Sequence, residues 1–259
     1  MLAVLLPAVA AVCLAHPPQI DVEVGRRALP WLPPDLARQV ERRMSDFQRG
    51  ARSAQAWPGS YHRWSGGQGL EVSIAAHCER LAAAIRAQAP FSETVAGLGA
   101  LAHMSADLNA PFLESGNGDA FGRAFSQYLT SAAPRVPLVF YGEERAMVRG
   151  PAAGLKTFAR ARRTAAAGLE ATVREDLDRV GGPAAWQQLD DRSSTFGAAS
   201  VTLSHAVTDF ANLASWVWHR AGGLVPSLGV PPDTIMVWTG EPHPRAKTSP
   251  RLSFRQAWP

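Results

Sequence analysis

Apolar positions recur along this chain at three- and four-residue steps, and no strand-like alternation persists. Ile20 to Leu29 follows the Pro17-Pro18 pair, and Pro30, Pro33 and Pro34 then interrupt the chain. Leu36, Val40, Met44 and Phe47 fall near helical spacing and predict a helix from Leu36 to Arg49, with Asp35 as its N-cap and Gly50 closing it. Residues 51–69 are rich in Trp, Gly and Ser and read as a loop. Ile74, Cys78, Leu81 and Ile85 form one stripe of a helix from Val72 to Gln88, which Pro90 stops. Ser92 caps a helix from Glu93 to Asn109 that runs until Pro111, and a short helix covers Phe121 to Ser131.

The second half continues in the same way. Ala152 to Val180 predicts one long Ala- and Arg-rich helix, ended by Gly181-Gly182-Pro183. Ser193 or Ser194 opens a last long helix that reaches Arg220 and stops at Gly222-Gly223. The Pro-rich stretch around residues 134–151 reads as a connecting loop, and there is no internal repeat. The expected fold class is therefore all-α, a multi-helix bundle. Its expected organisation is one helical domain over 16–223, preceded by a leader over 1–15 and followed by an irregular Pro/Gly-rich tail over 224–259.

Composition changes this picture in four places. With 46% hydrophobic and 19% charged residues, the 259-residue chain can bury a sizeable core, which excludes disorder as the default. The almost wholly apolar run Met1 to Leu14, with a small residue at Ala15, reads as an export signal that lacks a basic start. It is too short to span a bilayer, and Ala10-Ala11-Val12 is a poor match to a lipidation motif at Cys13. Cleavage after Ala15 leaves Cys78 alone, so no internal disulfide is expected and Cys78 reads as a small buried hydrophobe. The formal net charge of +4 favours anionic partners such as phosphates or lipid surfaces; a solvated, Arg-rich set of helix faces accounts for it equally.

One pair of residues carries candidate chemistry on spacing alone. His103 and Asp107 lie four apart inside a predicted helix and so share a face. Imidazole and carboxylate can form part of a zinc site, but on spacing alone such a pair is more often an ordinary hydrogen-bonded one. His205 and Asp209 repeat the spacing and could form a second metal pair, with a buried hydrogen bond as the favoured expectation. His77 reads as a polar residue at the surface or between helices, His219 as a cation at a helix C-terminus, and Trp216 and Trp218 as core packing in preference to a ligand platform. There is no P-loop, no dinucleotide-binding glycine motif, no zinc ribbon, no nucleophile elbow and no RNA-binding aromatic motif.

The segment Leu98-Gly-Ala-Leu-Ala-His103-Met-Ser-Ala-Asp107-Leu-Asn-Ala-Pro111-Phe resembles the central motif of the zinc-dependent phospholipase C and single-strand nuclease superfamily. Residues 21–33 resemble its opening segment, with Asp21 where that family has a His. Residues 55–64 resemble a segment carrying an Asp and then a His ligand; His62 fits the His, and Gln55 replaces the Asp. The helix from Leu203 to Gly222 resembles a late helix of bacterial members. The resemblance implies an all-α fold and phosphodiester hydrolysis assisted by up to three zinc ions in a cleft among helices. It implies His62, His103 and Asp107 as ligands of one zinc, with Asp107 also the catalytic carboxylate shared between sites. It further implies Asp21 and a new N-terminus at His16 as ligands of a second zinc.

Three departures matter: Leu113, Phe125 and Leu129 stand where ligands of a whole metal would be, which predicts a filled apolar pocket instead. Two readings follow. One is an exported phosphodiesterase with a reduced zinc cluster, acting on phospholipid or nucleic acid, periplasmic or secreted and without stable membrane insertion. The other is a catalytically inactive relative, an exported binding or scaffold protein.

Overall fold

The computed structural model describes residues 17–63, 69–115, 119–225 and 236–238. The segment expected to be a leader, His16 and most of the tail lie outside the described residues. The architecture is all-α. In chain order the helices are α1 (Pro18–Ala28), α2 (Pro34–Arg42), α3 (Met44–Gln55), α4 (Leu70–Arg86), α5 (Phe91–Leu108), α6 (Ala120–Ala132), α7 (Arg145–Val148), α8 (Ala152–Ala167), α9 (Glu170–Arg179) and α10 (Ser194–Arg220). One small antiparallel ladder interrupts them: β1 (Leu138–Phe140) pairs with β2 (Met236–Trp238), with Val139 opposite Val237. The segment expected to be wholly irregular thus contributes a strand.

Helix ends follow local chemistry. The Ser193 hydroxyl accepts the Phe196 N–H and caps α10. At the other end Gly222, at φ +89°, lets its own N–H reach the His219 carbonyl and the Gly223 N–H reach the Trp218 carbonyl. Gly181 and Gly182 close α9 with the same pair of bonds, to Asp178 and Leu177. Two expected helices are instead broken. The helix expected from Leu36 to Arg49 divides at Arg43, whose φ −121° and ψ 35° leave the helical region, and its second half runs on past Gly50 to Gln55. The helix expected from Ala152 to Val180 divides at Gly168 and Leu169 into α8 and α9.

The core sits around α5 and α10, whose inward faces include Leu98, Leu101, Met104, Leu203, Phe210 and Trp216, all essentially without solvent exposure. Each such side chain contributes about 1.5–3 kcal/mol on burial. α3 and α5 lie in direct backbone contact. A Cβ at Gly50 would collide with the Ala96 carbonyl, and one at Gly99 with the Phe47 carbonyl. Gly25 on α1 likewise makes room for the Phe47 ring, so α1, α3 and α5 form one tight layer.

α10 also substitutes for a strand beside β1. The Val139, Tyr141 and Glu144 N–H groups are accepted by Ser204 Oγ, Thr208 Oγ1 and Asn212 Oδ1 at 3.1, 3.2 and 2.9 Å. From Ser204 to Thr208 four helical residues advance about 6 Å, and from Val139 to Tyr141 two extended residues advance about 6.6 Å, so the first step runs nearly in register; the next takes three residues, to Glu144, beyond the end of β1. Trp31 stacks on Phe140 at 4.3 Å between ring centroids, tying the end of α1 to this ladder.

Candidate metal centre

Two elements deliver the three candidate ligands to one buried point. α5 presents His103 and, one turn later, Asp107 on the same face. His62 comes from a 3-10 turn over Gly59–Tyr61, which Trp57 braces by packing against Tyr61 and against His77 of α4. His77 is held in turn by its Nε2 contact with the Gly97 carbonyl of α5 at 2.8 Å, and burial pushes its pKa down. Of the two expectations for His77, at the surface or between helices, it meets the second.

His62 Nδ1 lies 2.7 Å from Asp107 Oδ2 and 3.1 Å from His103 Nε2, and His103 Nε2 lies 3.3 Å from Asp107 Oδ2. The three residues are at most 1% exposed. Two imidazole nitrogens and a carboxylate oxygen form an ordinary zinc donor set. Ligands of a tetrahedral zinc at 2.0–2.1 Å stand about 3.3 Å apart, so this triangle matches one face of that tetrahedron, drawn in by a few tenths of an ångström. The residues present therefore fit the ion that the resemblance implies.

Asp21 and Gln55 complete the cluster. Asp21, in the first turn of α1, is fully buried, with Oδ2 3.1 Å from His103 Nδ1. Gln55, the last residue of α3, donates from Nε2 to the same Oδ2 at 3.0 Å. Asp21 thus meets the far side of the His103 ring and is not one of the three convergent ligand atoms. The expected partnership of Asp21 with His16 lies outside the described residues.

Leu113, Phe125 and Leu129 are buried members of the apolar core, and Phe125 packs against Phe112 with ring centroids 6.0 Å apart. Apolar packing occupies the place where the resemblance would put another metal. The turn after α5 is fastened by Arg163, which sequence reasoning missed. Its buried guanidinium donates to the carbonyls of Leu108, Ala110 and Pro111 and pairs with Glu114. The available signal was an Arg on the stripe of Leu155, Ala159 and Ala166 in α8.

The second His-Asp pair does not form the bond expected of it. Asp209 accepts instead from Arg162 Nε and Asn109 Nδ2, both at 2.9 Å. A fully buried carboxylate is better matched by a guanidinium than by a neutral ring. Burial still pushes its pKa up, to about 6, against the opposing pull of Arg162. His205 stacks on Tyr141 at 4.3 Å, and burial, reinforced by Arg162, pushes its pKa down to about 4. His219 is exposed at the end of α10, whereas Trp216 is core, with Nε1 donating to the Gly150 carbonyl at 3.0 Å. Cys78 is a free, buried thiol.

No helix of the described residues is long and apolar enough to cross a membrane. No protein-family model matches the chain, and no curated protein sequence matches it. Among solved structures, the alpha-toxin of Clostridium perfringens from avian strain SWCP is similar, at 13% sequence identity and a TM-score of 0.56. The similarity covers 80% of this chain but 64% of that one, so the chain spans less than two thirds of the toxin's length. At that identity the likeness is one of fold: the two proteins share an all-α architecture over most of this chain.

Proposed function

We propose that this chain is a divergent member of the zinc-dependent phospholipase C and nuclease superfamily, exported, with one zinc held by His62, His103 and Asp107 and phosphodiesters as its substrates. The observation that carries the reading is the convergence of three ligand atoms, from a loop and a helix, within 3.3 Å of one another. The all-α likeness to the alpha-toxin and the central motif around His103 support it independently. His62 Nδ1 and His103 Nε2 would bind the ion. Asp107 would offset its charge and, touching both rings, hold them in place; it is also the catalytic carboxylate that the resemblance implies. Bound zinc supplies a Lewis acid that draws charge from a phosphoryl oxygen. Phospholipid headgroups and nucleic acid share that phosphodiester, and both are candidate substrates.

A second reading is favoured by the burial of the same residues and by the apolar filling at Leu113, Phe125 and Leu129. On this reading the chain keeps the fold without hydrolysis and serves as an exported binding or scaffold protein. Elemental analysis of the purified mature protein, with a His103→Ala control, separates metal binding from its absence. The metal reading expects at least one zinc per chain, lost in the variant, and chelator-sensitive hydrolysis of phosphodiester substrates. No zinc after reloading overturns it; zinc without hydrolysis leaves the binding role.

A further inference from the structure

A histidine can bind a metal through one ring nitrogen only if the proton sits on the other. For His103, four buried side chains bear on that choice, and this inference rests on the proposed role of His103 as a ligand. Asp21 Oδ2 lies 3.1 Å from His103 Nδ1 and 3.0 Å from Gln55 Nε2. An amide nitrogen can only donate, and an ionised carboxylate oxygen can only accept. Oδ2 is thus the shared acceptor, and Nδ1 of His103 is a donor to it. A proton on Nδ1 leaves the lone pair on Nε2, the atom that faces His62 and Asp107 at 3.1 and 3.3 Å. Asp21, Gln55 and His103 are all buried, and they come from α1, α3 and α5, the layer held together by Gly25, Gly50 and Gly99. The ring is therefore fixed by rigid elements and not by a loop.

We propose that Asp21 and Gln55 are a positioning pair: they lock His103 in its Nδ1–H tautomer and aim Nε2 at the candidate metal centre. This replaces the sequence-based expectation of Asp21 as a ligand with a role behind the ligand. It also gives Gln55 a purpose, because an acidic residue there would set two carboxylates at hydrogen-bond distance, whereas the amide donates to Asp21.

Two readouts test the pair on the full chain. Long-range proton–nitrogen correlation spectra of the zinc-free protein, labelled with nitrogen-15 at histidine, report the tautomer at neutral pH. The wild type is expected to show His103 protonated at Nδ1, and Asp21→Ala and Gln55→Glu to lose that preference. Zinc titration calorimetry is expected to show about ten- to hundredfold weaker binding in both variants, as for other carboxylates that orient a ligand histidine. His103 protonated at Nε2 in the wild type, or an unchanged tautomer in both variants, overturns the proposal. Tighter zinc binding by Gln55→Glu makes residue 55 a ligand and overturns it too. A wild type that takes up no zinc, yet shows the expected tautomer lost in both variants, upholds the lock and overturns the metal reading alone. Gln55→Glu keeps the test open if Asp21→Ala fails to fold.

Discussion

His205 shows how neighbours change the meaning of a single side chain. Four residues from Asp209 on α10, it lies flat on Tyr141 while Asp209 turns to Arg162 and Asn109. Its folded-state pKa of about 4 lies below the ordinary 6.5. Between those values the unfolded chain binds a proton at this position that the folded chain does not, so folding stability rises with pH across the window. The contribution of neutral His205 is whole above about 6.5 and is lost as pH falls towards about 4. His205→Phe keeps the stack and removes the titration. Urea unfolding of the two proteins across that range should show the wild type losing stability relative to the variant as the solution is acidified. A constant difference would mean that the ring protonates in place.

At the scale of elements, the tight layer of α1, α3 and α5 is what makes the cluster possible. Asp21, Gln55 and His103 meet because the helix backbones touch, and they touch because Gly50 and Gly99 face opposing carbonyls. Gly99→Val would force a side chain against the Phe47 carbonyl. The expected loss is about 3 kcal/mol or more, at or beyond the upper end for overpacked cores, visible as a lowered urea midpoint. Weaker zinc uptake should accompany it, because the layer also sets the reach of His103. A midpoint within error of the wild type would show that the two helices can separate cheaply.

This scale also explains why two apolar stripes run across helix breaks. Leu36, Val40 and Phe47 remain on one side of the chain although the helix breaks at Arg43. Leu155, Ala159, Ala166, Val173 and Leu177 likewise stay buried across Gly168. An apolar stripe records which face is inside, and a bend that keeps that face inside leaves the stripe intact. Caps at Ser193, Gly181 and Gly222 were legible because each acts on backbone groups within a few residues.

For the whole molecule, a ligand that binds only the folded state stabilises it by mass action. Zinc held at about a hundred times its dissociation constant should add about 2.7 kcal/mol to unfolding. For a domain of this size that corresponds to a rise of roughly 5–10 °C in Tm, reversed by a chelator and absent in His103→Ala. No shift with zinc would favour the fold without the metal. The described part of the C-terminal segment also belongs to this scale: β2 completes the ladder whose other side is satisfied by Ser204, Thr208 and Asn212. Three small polar residues at intervals of four on a buried face gave no hint of that use, since their partners lie 65 to 68 residues away.

By itself the sequence determined what depends on neighbours along the chain: the all-α class, the helix ends at Ser193, Gly181 and Gly222, the burial of Cys78 and the shared face of His103 and Asp107. Turn chemistry and a 3.6-residue period act locally, so they can be read locally. His62 became a candidate through its resemblance to a known motif, because a residue on a loop carries no periodicity. Tertiary structure alone decided that Asp21 would stand behind His103, that Gln55 would donate to it, and that Arg163 would fasten the end of α5. Those outcomes depend on distances between helices, which are set by where glycines let backbones touch.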